Sequence, residues 1–220
     1  MQRKTLLLDF DGVVFKNHKL HKVVANRCEQ FMHKYVKVRD QETLTRCNKS
    51  LYETTGHTLL GLQRLGYNIT FEDFNNYVYK DIDFKNNLKD ISEEHVRDIH
   101  ALKKIQKHCE VNNYGLYIFS NAPDIWCDSI CEILLGYSVP STYIYTNNIL
   151  KPNPYSYIRV QQYCDSDEYI FVDDKLGNLL NVPVNGRWTC MWLNGCETKK
   201  INSRLFFIES LDDMLSLDVV

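Results

Sequence analysis

The sequence predicts an α/β fold: a doubly wound parallel sheet, interrupted early by an inserted helical domain. Three observations lead there. Short apolar runs that end in acids, Leu6-Leu7-Leu8-Asp9 and Ile170-Phe171-Val172-Asp173-Asp174, read as buried strands. From Tyr114 onward strand and helix patterns alternate, as in βαβ units. Between the first strand and that region lies a helical stretch too long for a simple crossover. The expected division is a core of residues 1–15 and 96–220, with residues 16–95 as a helical cap.

The elements follow in order. The first strand covers roughly Thr5 to Asp9. His21 to Val36 sets Val23, Val24, Phe31, Met32 and Tyr35 at helical spacing, and Leu44 to Leu65 continues until Gly66-Tyr67-Asn68 breaks it. Gly56 and Gly61 inside that stretch cost about 1 kcal/mol each relative to Ala. A break at one and close packing at the other would account for them. Thr70 caps a helix over Phe71 to Tyr79, with Asp73 at N3. Ser92-Glu93-Glu94-His95 opens a helix that runs to about Cys109. Tyr114 to Phe119 is a strand. Pro123 to Leu135 is a helix with Pro in its first turn and Gly136 after its end. Then come a short strand over Thr142 to Tyr145, a helix over Pro154 to Cys164, and strands over Glu168 to Val172 and Trp188 to Leu193. Arg204 to Ile208 is a last short strand before a terminal helix from Leu211.

Composition excludes several classes. The 220 residues are 44% hydrophobic and 25% charged, ordinary for a globular protein. Basic and acidic residues nearly balance, 26 against 28, so no basic stripe suits a nucleic acid polymer. No apolar run approaches the ~18 residues a membrane span needs, and the first residues carry no signal-peptide core. The eight cysteines form no CxxC pair and suit free thiols in a reducing, cytoplasmic setting. The seven histidines all lie at or before His108 without an HExxH pattern, which argues against zinc.

The chemistry gathers at strand ends. Asp9 and Asp11 point the same way at i and i+2, and Gly12 lets the chain turn after them. Carboxylates after buried strands fall where α/β sheets bind ligands. Two convergent negative charges call for a cation, and a hard divalent ion such as Mg²⁺ fits them. Phe119-Ser120-Asn121-Ala122-Pro123 puts a hydroxyl between a strand and a helix N-terminus, a place suited to an anion. Ser120 or Asn121 could instead merely cap that helix. Lys151 stands between prolines in Leu150-Lys151-Pro152-Asn153-Pro154, and Asp173-Asp174 adds a second acidic pair.

Taken together, Asp-x-Asp, Ser, Lys and Asp-Asp in that order resemble the haloacid dehalogenase (HAD) superfamily of phosphotransferases, whose core is Rossmann-like. The resemblance implies that Asp9 is a nucleophile that forms an aspartyl-phosphate and that Asp11 is the general acid and base. It implies Mg²⁺ held by Asp9, Asp173 and the backbone carbonyl of Asp11, with Asp174 nearby or acting through water. Ser120, the amide of Asn121, and Lys151 would bind the phosphoryl oxygens. Members that act on carbon–halogen bonds lack an acid at the second position, so Asp11 points to phosphate esters.

The cap pattern Tyr52-x-x-x-Gly56-x-Thr58-Leu59-x-Gly61-Leu62, followed by the Phe71-Glu72-Asp73-Phe74 helix, is similar to the pyrimidine 5′-nucleotidase branch of that superfamily. So are Phe119-Ser120-Asn121-Ala122 and Asp173-Asp174 with Asn178 downstream. By this analogy Tyr52, Thr55, Gly56, His57 and Asn178 are candidate substrate contacts. Two departures stand against it: Gly12-Val13-Val14 where that branch has Asn-Thr-Leu, and few small residues after Asp174. The expected partner is a small phosphorylated metabolite, with a nucleoside 5′-monophosphate favoured. The alternatives are a sugar-phosphate or phosphoglycolate phosphatase, or a binding protein that keeps the fold without catalysis. The sequence assigns no oligomeric state.

Overall fold

The structure is a computed structural model that describes residues 3–38, 40–89, 93–141, 149–194 and 196–217. Its helices are α1 (His18–Tyr35), α2 (Gln41–Thr55), α3 (Thr58–Arg64), α4 (Phe71–Val78), α5 (Phe84–Asn87), α6 (Glu93–Asn112), α7 (Asp124–Leu135), α8 (Pro154–Cys164), α9 (Leu176–Leu180) and α10 (Leu211–Met214). The strands are β1 (Lys4–Leu8), β2 (Gly115–Ile118), β3 (Glu168–Asp173), β4 (Trp188–Leu193), β5 (Lys199–Lys200) and β6 (Leu205–Ile208). Contacts divide the chain into two compact units, one of Met1–Lys16, Ile91–Ile144 and Ile149–Val220, the other chiefly Asn17–Asp90. The strand expected over Thr142 to Tyr145 lies outside the described residues.

The first unit is a Rossmann-like α/β structure. Its sheet runs β2-β1-β3-β4-β6-β5. All pairings are parallel except that of β5 with β6. β1 lies between β2 and β3, with Leu8 in register with Ile118 on one side and Val172 on the other. The chain therefore leaves β1 toward one neighbour and later returns to the opposite side, which opens a crevice beyond the carboxyl ends of these strands. Leu6, Leu7 and Leu8 are fully buried, as an apolar run without alternation requires.

Alternate residues of the sheet supply an aromatic core. Leu7, Tyr169, Phe171, Trp188 and Cys190 pack together with Phe119, and α8 adds Tyr157 and Val160. The Tyr157 ring meets Phe119, Phe171 and Trp188 edge-on at 5.5, 6.1 and 5.8 Å, the favoured arrangement for ring quadrupoles. Its hydroxyl donates to the Asn178 carbonyl at 2.6 Å. The core is thereby tied to α9, the short helix after β3. Helix α7 begins at Asp124, one residue later than expected, because Pro123 takes the extended N-cap position and offers no side-chain cap. It ends at Gly136, whose φ of +83° a side chain would strain.

Among the described residues, the only regular elements of the second unit are helices. Helix α1 starts at His18, earlier than its apolar spacing suggests, because Asn17 Oδ1 accepts the Leu20 N–H at 2.9 Å. The stretch Leu44 to Leu65 is two helices. Gly56, at φ +75°, closes α2 in the left-handed region. His57 Nδ1 then accepts the Leu59 N–H at 3.2 Å and opens α3. Gly61 has a different cause: a Cβ there would stand 2.7 Å from Leu51 Cβ, so the glycine lets α3 close on α2. Thr70 Oγ1 accepts the Asp73 N–H at 3.0 Å, the cap expected for α4. Phe31 and Phe74 meet at 5.1 Å in the middle of this unit.

His57 gives the helical unit a pH response. Burial holds its imidazole down to about 4, and the ring must stay neutral at Nδ1 to cap α3. An unfolded histidine titrates near 6.5, so between about 6.5 and 4 the unfolded chain binds more protons than the folded one. Stability is therefore complete above pH 6.5 and is lost as pH falls through this window, by about 2 kcal/mol at pH 5. Urea unfolding of wild type and His57→Asn at pH 7.5 and 5 checks this, because Asn can cap without titrating. Equal losses in both proteins would refute it.

Candidate active site

Three strand ends build the site. Asp9 follows β1 directly, and its N–H continues the ladder to the Val172 carbonyl at 2.9 Å. Asp173 is the last residue of β3 and is fully buried. Ser120 stands two residues beyond β2, buried, where Phe119 N–H still bonds the Leu8 carbonyl. Parallel pairing thus brings residues more than a hundred positions apart to one edge.

Lys151 is the charge centre. Its ammonium is 1% exposed and lies 2.9 Å from Asp9 Oδ1 and 2.7 Å from Asp173 Oδ2. The Phe119 and Phe171 rings flank it at 5.2 and 5.1 Å. Burial works against the ammonium, but Asp173 and Asp9 outweigh burial and hold it above the ordinary lysine value. The backbone of Lys151 is fixed by Asn121, whose Nδ2 donates to the Lys151 carbonyl and whose Oδ1 accepts the Lys151 N–H, both at 2.9 Å. The Asn121 side chain therefore holds the Lys151 backbone and does not cap α7. Its backbone amide is the group expected to meet an anion. Ser120 Oγ accepts the Ala122 N–H at 3.1 Å, a local turn and not a helix cap.

The acids are arranged unequally. Asp9 Oδ1 receives both the Lys151 ammonium and the Phe10 N–H, the latter at 2.8 Å. Burial pushes the Asp9 carboxyl up to about 7; Lys151 opposes this, while Asp173 and then Asp174 add to it. Asp173 also accepts Lys175 N–H at 2.8 Å on Oδ1, and Asn178 Nδ2 at 3.0 and 2.8 Å on its two oxygens. The amide of Asn178, expected as a substrate contact, is thus found holding Asp173. Asp174 is half-buried, and its carboxyl is raised by burial and by Asp173. Its Oδ1 is buried without a hydrogen-bond partner among the described residues. Gly12, at φ +88°, permits this approach, since a Cβ there would fall 2.4 Å from Asp174 Oδ2.

One oxygen each from Asp9, Asp173 and Asp174 lies within 4.8 Å of the others. Such a set of hard oxygen donors, on carboxylates of which Asp174 also has an orphaned buried oxygen, fits a divalent cation of the Mg²⁺ type. The Asp11 carboxylate is not in this set. Its Oδ1 accepts the Trp126 Nε1–H at 3.0 Å, a contact that carries no sequence signal. Of the expected residues in the helical unit, Thr55 donates to the Leu51 and His57 carbonyls, and His57 and Gly56 form the α2–α3 junction. Tyr52 is 45% exposed on α2.

No family model matches the sequence, and no curated relative does. Solved structures do match. A HAD phosphatase from Thermococcus onnurineus is 15% identical, with 97% of this chain and 96% of that chain covered at a TM-score of 0.55. CbbY from Rhodobacter sphaeroides, in complex with xylulose-1,5-bisphosphate, is 14% identical, with 97% and 96% covered at 0.59. The L-2-haloacid dehalogenase RSc1362 is 15% identical, with 98% of each chain covered at 0.53. These neighbours are HAD-superfamily hydrolases, and at such identities the likeness shows that this chain has the HAD-like fold.

Proposed function

We propose that this chain is a Mg²⁺-dependent phosphomonoesterase of the haloacid dehalogenase type, acting on a small phosphorylated metabolite through Asp9. The observation that carries the reading is the meeting of the Asp9, Asp173 and Asp174 oxygens around a buried lysine at the ends of β1 and β3. Asp9, Asp173, Asp174 and the backbone carbonyl of Asp11 would hold the cation. When bound, Mg²⁺ supplies positive charge that lets a carboxylate approach a phosphate dianion.

The chain's own residues divide the remaining work. Both donors to Asp9 converge on Oδ1, which leaves Oδ2 to attack phosphorus. An ammonium has three N–H groups; two face Asp9 and Asp173, and the third serves a phosphoryl oxygen. Ser120 Oγ and the Asn121 amide serve the others. The P–O bond to the alcohol breaks as the Asp9–P bond forms, and Asp11 protonates the departing oxygen. Asp11 then takes a proton from the water that cleaves the aspartyl-phosphate. A halide needs no proton to leave, so Asp11 favours an ester substrate over the haloacid that one structural neighbour is named for. The eight free thiols suit a reducing, cytoplasmic compartment.

The substrate reading favours nucleoside 5′-monophosphates, on the similarity of the Tyr52–Leu62 pattern to pyrimidine nucleotidases. The test is a screen of p-nitrophenyl phosphate, nucleotides and sugar phosphates with Mg²⁺ and after chelation. Turnover is expected with the metal only. In Asp11→Asn, kcat should fall by about 10²–10⁴-fold; an unchanged rate would remove its acid–base role. Sugar phosphates preferred by more than about tenfold in kcat/KM over every nucleotide would overturn the nucleotidase part alone. No turnover of any ester would leave a binding protein.

A further inference from the structure

We propose that Trp126 is a positioning residue for Asp11: its indole fixes which carboxyl oxygen gives the proton to the leaving group. The inference rests on the phosphomonoesterase reading above. Asp11 sits in the loop after β1, outside the helices and strands. Trp126 is on α7, 1% exposed, and its Nε1–H donates to Asp11 Oδ1 at 3.0 Å. The same loop grips the ring from a second direction, since Phe15 meets Trp126 edge-on at 5.7 Å. The loop is itself held at the Phe10 carbonyl, which accepts the Val14 and Phe15 N–H groups at 2.9 Å, and by Gly12 N–H to the Phe15 carbonyl at 2.8 Å.

The chemical consequence is specific. An indole nitrogen only donates, so this bond engages Oδ1 as an acceptor and makes Oδ2 the better placed oxygen to deliver the proton. In the first step the Oδ2–H bond breaks, an O–H bond forms on the departing alcohol, and the P–O bond electrons go to that oxygen. Loss of the indole N–H removes the bond that orients Oδ1, and misplacement of a catalytic group by a fraction of its reach is costly. The other two tryptophans provide no equivalent: Trp192 donates to the Asp174 carbonyl, and Trp188 Nε1 has no acceptor among the described residues.

The test uses leaving groups of different need. Alkyl phosphates require protonation of a poor leaving group, whereas 2,4-dinitrophenyl phosphate does not, and kcat/KM reports the steps up to its departure. Trp126→Phe keeps the ring and removes the donor. Its kcat/KM should fall about 10–100-fold on an alkyl phosphate and stay within about threefold on the dinitrophenyl ester. Equal losses on both, or none on the alkyl ester, would overturn the inference while leaving the phosphatase reading intact. A wild type inactive on both esters sinks that reading and this role together. Should Trp126→Phe fold poorly, the indole N–H resonances of ¹⁵N-labelled protein decide. Asp11→Ala should displace one of the three and speed its solvent exchange, and three unmoved signals would end the proposal.

Discussion

Replacing Asp9 by Asn should abolish turnover, by more than about 10⁴-fold in kcat, while leaving the chain folded. The amide cannot form the acyl phosphate, and nothing else in the site substitutes for Oδ2. The fold should survive because the negative charge at residue 9 works against folding once the cation is removed. Burial raises the Asp9 carboxyl to about 7, with Asp173 and Asp174 contributing. An unfolded aspartate titrates near 3.8, so between these values the folded chain binds the extra proton. The stability tied to that proton is present below pH 3.8 and is lost as pH rises through about 7. In EDTA at pH 8, Asp9→Asn should therefore unfold at the same or a higher temperature than wild type, and circular dichroism melts read this directly. Residual activity within about tenfold of wild type would exclude covalent catalysis at residue 9.

The parts of this molecule that were legible in its sequence are those whose signal is local. β1 and β3 are buried on both faces, so they read as unbroken apolar runs, and their terminal acids mark the site edge without any tertiary knowledge. The Thr70 cap of α4 is equally local, a hydroxyl three residues before the amide it accepts from. What escaped lacks such a signal. β5 is two exposed lysines that pair only because β6 passes beside them. The short α5 and α9 hold too few residues to show a period. The apolar spacing across Leu44 to Leu65 continues through Gly56, and the glycine itself is the one local mark of the break between the two helices. The site shows the same division. Its carboxylates and lysine stood out, but the groups that hold them did not. Asn178, read from the sequence as a substrate contact, holds Asp173. Trp126 reaches Asp11 across 115 positions of sequence, a pairing that only the packing of α7 against the loop after β1 creates.

The largest stability change should come from Lys151→Met. Lys151 is a fully buried cation set between two buried carboxylates, at 2.9 and 2.7 Å. Methionine fills most of the volume and keeps contact with the Phe119 and Phe171 rings, so the effect isolates charge. Removing one member of a buried ionic group costs about 3–5 kcal/mol, because the remaining charges are left uncompensated. Asp9 offers partial relief by taking up a proton, and it does so more readily without Lys151, which opposes its rise. The loss should therefore be larger at pH 8 than at pH 6, the opposite sense to the His57 response of the helical unit. Urea unfolding in EDTA at both pH values measures it. Mg²⁺ should recover part of the loss at pH 8, since a divalent ion bound by Asp9, Asp173 and Asp174 supplies the missing positive charge. Recovery of stability without recovery of turnover would separate two roles of the lysine: balancing the acids, which another cation can do, and meeting a phosphoryl oxygen from a fixed position, which it cannot. A variant as stable as wild type at pH 8 without metal would show that the acids are held apart by something other than this ammonium.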